Sequence, residues 1–306
     1  MEVINKSVIF TWYACNAKCV FCIDLNKRQI NASTKKIFEN ILQAKKNWTN
    51  YLEIIGWEIT IRKDFFLMLA FAKKVWFDTI MFVTNGIKFA DKDFCKRMLD
   101  MNIVDHIVFS IHSHIPQLHD ELVVHKWAHE KLMKWIYNLR ELWFNRIWVN
   151  NTIIQQNFKY LPDFVTFLNE HKLSNIETIY ADPNQWWVNN EFDKLMPKIS
   201  EVASYAVSAI EMANSLWMKF RIRYVPLCHF EKFINSDNIS ELMETRTFKT
   251  AHIAPDFQNY DVSWWRKNIW RIRPKKCLPC KYYNICEWIW KTYYEKLWDD
   301  ELHPII

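Results

Sequence analysis

Glycine is nearly missing from this chain: two residues in 306, where an ordinary domain has about 7%. Tryptophan stands at 17. That pair of counts puts either the protein or the reading of its gene outside the ordinary. Other absences are more routine. No apolar run approaches the length of a membrane span, and no charged segment followed by an apolar one opens the sequence as a secretory leader would. A soluble, cytoplasmic protein with no membrane partner is the expectation. The 40 basic and 34 acidic residues leave a formal charge of +6, spread without a basic block, which argues against nucleic acid as a partner. There is no low-complexity segment and no short-period repeat. The chain is long enough to bury a large core without staples. Its eight cysteines therefore need a chemical reason. In a reducing compartment they read as metal ligands or reactive thiols sooner than as cystines.

Apolar, β-branched runs alternate with segments of helical period, the pattern of βα units around a parallel sheet. Strands are expected at 7–11, 51–55, 79–84, 106–111, 146–154 and 175–181. Helices are expected near 34–46, 63–75, 91–100, 128–142 and 160–171, with a longer one over 190–216. The fold class that follows is α/β, a partial (βα)6 barrel of parallel strands with a small Cys-rich C-terminal domain. Residues 1–220 form the barrel and 221–306 the second unit. In such barrels the carboxyl ends of the strands converge on one face, where the active site sits. "TWYACNAKCVFC" follows strand one, "GWEIT" strand two and "TNG" strand three, while "SIHSH" ends strand four, so these distant motifs meet around one cavity.

Cys15, Cys19 and Cys22 come from one short loop with the spacing Cys-x3-Cys-x2-Cys. A four-iron cluster is normally held by four Cys; three leave one iron open to a substrate or cofactor. Zinc favours closed tetrahedral sets, and no fourth donor lies in this loop.

The loop "CNAKCVFC", with Phe21 just before its last Cys, resembles the signature of radical S-adenosylmethionine enzymes. "GWEIT" at Gly56–Thr60 is similar to their GGE motif, and "VTNG" and "FSIHS" stand where those enzymes carry strand-three and strand-four motifs. The resemblance implies that Cys15, Cys19 and Cys22 ligate a [4Fe–4S] cluster whose open iron chelates S-adenosylmethionine. One-electron cleavage then yields a 5′-deoxyadenosyl radical that takes hydrogen from the substrate. It further implies that backbone at Gly56, Trp57 and Glu58 receives the methionine amino group, the Phe21 backbone the adenine, and Ser110 with Asn151 the ribose or carboxylate. A flavodoxin- or ferredoxin-like protein is the implied reductant.

Trp57 stands where the family has its second Gly, and a motif that brings backbone to ligand works by having no side chain. Trp76, Trp143 and Trp217 each fall between a helix and an apolar strand, at the position where left-handed backbone makes Gly the usual residue. Reading Gly for these Trp sharpens the family pattern. The inference is that most of the 17 Trp arise from UGA codons translated as Trp in an organism that reads UGA as Gly. Trp290, in a segment with no need of Gly, is the candidate for a genuine Trp.

Cys277, Cys280 and Cys286, with Cys228 upstream, supply four thiolates in a compact tail, which suits a closed second [4Fe–4S] cluster or a structural Zn. The tail is similar to the auxiliary-cluster (SPASM/Twitch-like) extensions of radical enzymes. Cys95 reads as a buried small hydrophobe. His112, His114, His119, His125 and His129 crowd the region after strand four; a mononuclear metal site competes there with solvated or capping histidines, and His112 and His114 are candidates for the cavity lining. The leading function is a radical enzyme acting on a peptide or protein, as a maturase does. A small-molecule substrate, a zinc-stabilised binding module and an iron–sulfur electron carrier are the alternatives. The gene is expected to carry UGA at codons 57, 76 and 143; UGG at all three excludes recoding.

Overall fold

The computed structural model describes residues 4–234 and 248–306. The expected C-terminal unit includes residues 235–247, which lie outside the described residues. Among the described residues nine strands form one sheet in the order β7-β6-β5-β4-β3-β2-β1-β8-β9. They are β1 (Ile4–Phe10), β2 (Tyr51–Ile55), β3 (Thr79–Thr84), β4 (His106–Ser110), β5 (Ile147–Ile153), β6 (Asn175–Tyr180), β7 (Lys219–Arg223), β8 (Phe248–Ile253) and β9 (Gln258–Asn259). Each neighbouring pair from β7 through to β8 is parallel, and only β9 runs antiparallel to its neighbour. All six expected strands are present within three residues of their expected ends. The sheet goes further than six: "KFRIR" adds β7, astride residues 220 and 221, and β8 returns from the C-terminal region to pair with β1. A two-stranded sheet, β10 (Arg271–Ile272) and β11 (Ile289–Trp290), belongs to the Cys-rich tail.

The crossovers are helices α1 (Thr34–Lys46), α2 (Phe65–Lys74), α3 (Lys92–Asp100), α4 (Pro116–Val123), α5 (Ala128–Glu141) and α6 (Leu161–Glu170). Local chemistry starts several of them. Ser33 accepts from Lys36 N at 3.2 Å to cap α1, and Asp91 accepts from the Asp93 and Phe94 amides to cap α3, each side chain satisfying donors that a helix start leaves open. The long helix expected over 190–216 is broken into α7 (Trp186–Asn190), α8 (Phe192–Leu195) and α9 (Ile199–Ser215). Pro197 is the physical reason for the second break: it lacks an N–H and pushes the residue before it out of helical backbone, and Met196 sits at φ −97°, ψ 108°. The helices pack on one face of the sheet, where Ile54, Phe82, Phe109, Val149, Ile176 and Ile222 join one apolar core with Leu69, Ile136 and Val165.

Helix ends explain the tryptophans. Trp76, Trp143 and Trp217 have φ of 61°, 59° and 57°, the left-handed backbone expected of them, and are 80, 92 and 94% exposed. Trp48, Trp127, Trp288 and Trp298 also have positive φ, so seven of the 17 Trp occupy backbone that suits Gly. Trp298, at φ 58° and ψ −152°, lies near a region essentially restricted to Gly. At about 1–2 kcal/mol each, seven such residues cost about 7–14 kcal/mol, comparable with the whole stability of a domain. Six of the seven are exposed and give little back; Trp288 alone is buried, its indole donating to Tyr283 O at 3.0 Å. Trp290 differs: its φ is −59° and it is buried, with the Arg271 guanidinium 4.5 Å from its ring. Trp135 is also well housed, stacked on Phe109 at 3.8 Å and packed so closely on Gly86 that an added Cβ there would lie 2.7 Å from its Nε1.

Replacing Trp76, Trp143 or Trp217 by Gly is expected to raise stability by about 1 kcal/mol each, read as a higher denaturant midpoint. Trp135→Gly is expected to lower it by about 3 kcal/mol or more.

Candidate active site

The loop after β1 is held from several sides before any cofactor is considered. Lys18 N donates to Val123 O and Val20 N to Leu122 O, both at 2.9 Å, fixing the loop to the end of α4. Arg28 donates to the carbonyls of Cys15 and Ala17 at 3.3 and 2.5 Å. The Trp187 indole donates to Val20 O at 2.7 Å. Tyr13, fully buried, donates its hydroxyl to Asp256, from the turn between β8 and β9, and Asp256 also pairs with Lys27 at 3.3 Å. Sequence reasoning missed Arg28 and Asp256, because neither is part of a local motif.

Within this loop Cys15 and Cys19 are half-buried and Cys22 is buried. Burial pushes the Cys15 thiol up to about 11, against help from the Ala17 amide and Arg28. It pushes Cys19 higher still, with the charges of Cys15 and Cys22 adding to the effect, and raises Cys22 as well. Three thiols that each resist ionising alone are stabilised together by metal, whose charge inverts this logic. The donor set fits an iron–sulfur cluster.

Beside the cysteines, Glu58 is fully buried and accepts four hydrogen bonds: from Thr60 N at 3.0 Å, Thr60 Oγ1 at 2.5 Å, Thr84 Oγ1 at 2.8 Å and Asn85 N at 2.7 Å. Desolvation still raises its pKa, the four bonds opposing it. Asn85, in the "TNG" turn, bonds Asn16 Oδ1 at 2.7 Å, which closes the turn onto the cysteine loop. The amides of Trp57 and Glu58 are taken by the Trp12 and Ala14 carbonyls at 3.3 and 3.2 Å. Gly56 is required by close approach: an added Cβ would lie 2.6 Å from Trp12 Cδ1.

Trp57 does not fit the cofactor. Its indole donates to Cys22 Sγ at 2.9 Å and lies 4.5 Å from the Tyr13 ring, so a large side chain stands against one of the three thiols that would hold the cluster. A glycine at 57 removes that obstruction.

Ser110 ends β4 half-buried. The register pairs Ser110 with Asn150, so these two share a face of the sheet. Asn151 is one residue out of phase: it lies on the face of Val149 and Ile153, buried, with its Nδ2 donating to Ile111 O at 3.0 Å. The structure therefore does not bring Asn151 beside Ser110, and Asn150 takes that place. Phe21 is buried with its ring edge-on to His112 at 4.5 Å. His112 is itself buried, its Nδ1 accepting from Thr152 N at 3.2 Å, and burial with His119 nearby holds its pKa down to about 3. His129 Nε2 bonds the His114 carbonyl at 3.1 Å, so this crowd is tied to backbone. Cys95 is buried in the core and donates to Phe89 O.

In the tail, Cys228, Cys277, Cys280 and Cys286 all line one small cleft, with Leu227, Tyr282 and Trp288. Burial raises Cys228, and pushes Cys277 up to about 11 and Cys286 up to about 12. Ligand atoms of Cys228, His229 and His303 also lie within 4.8 Å of one another, a donor set suited to zinc; the two histidines were not read from the sequence.

The Radical SAM superfamily model matches residues 9–168, just over half of the chain. Among solved structures, SuiB of Streptococcus suis bound to its precursor peptide SuiA is similar with a TM-score of 0.72 at 16% identity, over 97% of this chain and 74% of that one. SuiB bound to S-adenosylmethionine gives 0.70 at 17% identity, over 96% and 74%. Native anSMEcpe with bound AdoMet gives 0.56 at 13% identity, over 71% and 64%. At these identities the likeness is one of fold. No curated protein matches the sequence. With a family match over that span, and a trio of thiols gathered where the matched region begins, the chain belongs to the radical S-adenosylmethionine superfamily and is one of its enzymes, with a [4Fe–4S] cluster and S-adenosylmethionine as its cofactors.

Proposed function

We propose that this enzyme modifies a peptide or protein substrate by abstracting a hydrogen atom. The observation that carries the reading is the trio Cys15, Cys19 and Cys22, gathered in one pinned loop with no fourth sulfur donor among the described residues near it. When bound, the cluster and S-adenosylmethionine supply one-electron cleavage and the hydrogen-abstracting radical. The chain's own residues do the rest. Cys15, Cys19 and Cys22 hold the cluster. Glu58 fixes the segment at 56–58, whose backbone faces the methionine end. The Phe21 backbone receives adenine, and Ser110, with Asn150 in the place first given to Asn151, binds ribose or carboxylate. The peptide reading is supported by the ligands of the similar structures, SuiB bound to its precursor peptide and anSMEcpe bound to the Kp18Cys peptide.

The tail from about residue 221 acts as a SPASM/Twitch-like auxiliary domain. Cys228, Cys277, Cys280 and Cys286 hold a second [4Fe–4S] cluster, and the Cys228, His229 and His303 group keeps zinc as the competing occupant. A flavodoxin- or ferredoxin-like protein delivers the electron. No helix among the described residues is long and apolar enough to cross a membrane, and a cytoplasmic location suits eight unpaired thiols.

Anaerobic reconstitution is expected to give about eight irons and eight sulfides per chain; iron absent with zinc in its place overturns the reading. Trp57→Gly is expected to tighten S-adenosylmethionine binding at least about tenfold and to permit reductive release of 5′-deoxyadenosine. In that background Cys19→Ala abolishes the release, whereas Cys280→Ala leaves part of it.

A further inference from the structure

Arg28 belongs to no motif, yet the cysteine loop is built against it. The turn Leu25–Lys27 leads into it, and that turn is tied on both sides. Lys27 Nζ pairs with Asp24 at 3.0 Å and with Asp256 at 3.3 Å, while Tyr13 N donates to Ile30 O at 3.1 Å. From this fixed position the Arg28 side chain reaches back to the loop, Nη1 donating to Cys15 O at 3.3 Å and Nη2 to Ala17 O at 2.5 Å. The Ala17 amide in turn donates to Cys15 Sγ at 3.3 Å.

A staple of this kind needs no charge, because carbonyls accept equally from the two amide donors of a glutamine. Arg28 instead brings a cation that is never deprotonated. Its side chain is half-buried, its Nε is enclosed without a hydrogen-bond partner, and no carboxylate pairs with it among the described residues. Taking a charge out of water is costly unless an opposite charge meets it. The charge that can meet it is that of the sulfurs: the guanidinium favours the ionised form of Cys15, Cys19 and Cys22 alike. Two carboxylates act the other way, Asp24 on Cys22 and Glu58 on Cys15. Asp24 is already paired with Lys27, and Glu58 makes a cation on this loop more necessary.

We propose that Arg28 is a positioning residue for the cluster: it fixes the loop through the Cys15 and Ala17 carbonyls, and its charge stabilises the reduced state of the centre the three cysteines hold. Reduction adds one electron, from a one-electron donor, and no proton. The reduced centre is therefore more negative than the oxidised one and gains more from a fixed cation, which raises the midpoint potential. Net charge and hydrogen bonding around the sulfurs are the levers by which a protein sets such potentials. The proposal rests on the cluster and goes beyond the peptide reading, since no substrate enters it.

The test is the midpoint potential of the full-length reconstituted protein, read by EPR during a titanium(III) citrate titration without S-adenosylmethionine or substrate. Arg28→Gln keeps amide donors for the carbonyls and loses the charge; it is expected to make reduction at least about tenfold less favourable, about 59 mV lower for one electron. Arg28→Lys keeps the charge and is expected to retain most of the wild-type potential. It loses the two-carbonyl fork, which should speed hydrogen exchange at the amides of residues 15–22 in the protein without metal. An unchanged potential in Arg28→Gln overturns the proposal, and so does an equal fall in both variants, which assigns the effect to hydrogen-bond geometry alone. Unchanged exchange in Arg28→Lys overturns the loop-fixing part. Should Arg28→Gln take up no iron, iron content decides: uptake by Arg28→Lys supports the role of the charge, and failure of both variants overturns it. Wild-type protein that takes up no iron overturns the cluster and this proposal together.

Discussion

The site depends on one buried carboxylate. Glu58 has no water to solvate it, and an uncompensated charge in that position would cost several kcal/mol. Its compensation is four donors, from the segment after β2 and from the end of β3, each bond to a charged group contributing about 1.5–3 kcal/mol. Those bonds do more than neutralise a penalty. They fix the ends of two strands relative to each other, and the same residue holds the first strand's loop through its own amide to Ala14 and its carbonyl to the Trp12 indole. Three successive βα units are thus referenced to one side chain. The cysteines, which must present three sulfurs at fixed separations, are placed on that frame.

What could be read from the residues was whatever is encoded locally. The cysteine spacing, the Gly56–Glu58 segment and the "TNG" turn each follow a strand, and six strands announced themselves as β-branched runs. What could not be read depends on pairing. Asn151 and Asn150 are equally plausible in the sequence; only the register of β5 against β4 decides which lies level with Ser110, and a one-residue slip moves a side chain to the other face. β7 is short and three of its five residues, Lys219, Arg221 and Arg223 on one face, are basic, so it does not look like a buried strand. Asp256 and His303 come from segments with no motif, and their contacts with Tyr13 and the Cys228 carbonyl exist only once the tail has folded back. Pro197 was visible, and it was a helix breaker overlooked within a long apolar period.

The tryptophans show backbone geometry holding against an ill-suited side chain. Each of Trp76, Trp143 and Trp217 ends a helix and turns the chain into the next strand, and the surrounding packing forces the left-handed residue whatever its identity. The packing of Leu69, Ile136 and Val202, one on each of the helices they end, into the core is what forces it: the steric penalty at one residue is smaller than the loss of a packed helix, so the helix wins and the indole is left in solvent. At position 57 the conflict is with a ligand, not with the backbone. The indole finds a partner in Cys22 that a cofactor would have to displace.

The C-terminal tail has two tasks that pull on the same chain. Its four cysteines line a small cleft of their own, while β8 lies along β1 and brings Asp256 to Tyr13. Both succeed because the tail is anchored at its far end as well: Asn184, after β6, donates to Trp270 O at 3.0 Å and accepts from Thr292 N at 3.1 Å. The tail therefore meets the sheet at two places, β1 on one side and the segment after β6 on the other. A radical able to take hydrogen from carbon will also react with whatever else reaches it, so the site that makes it must exclude solvent. A strap tied at both ends holds the cysteine loop from outside its own motif, through the contact of Asp256 with Tyr13.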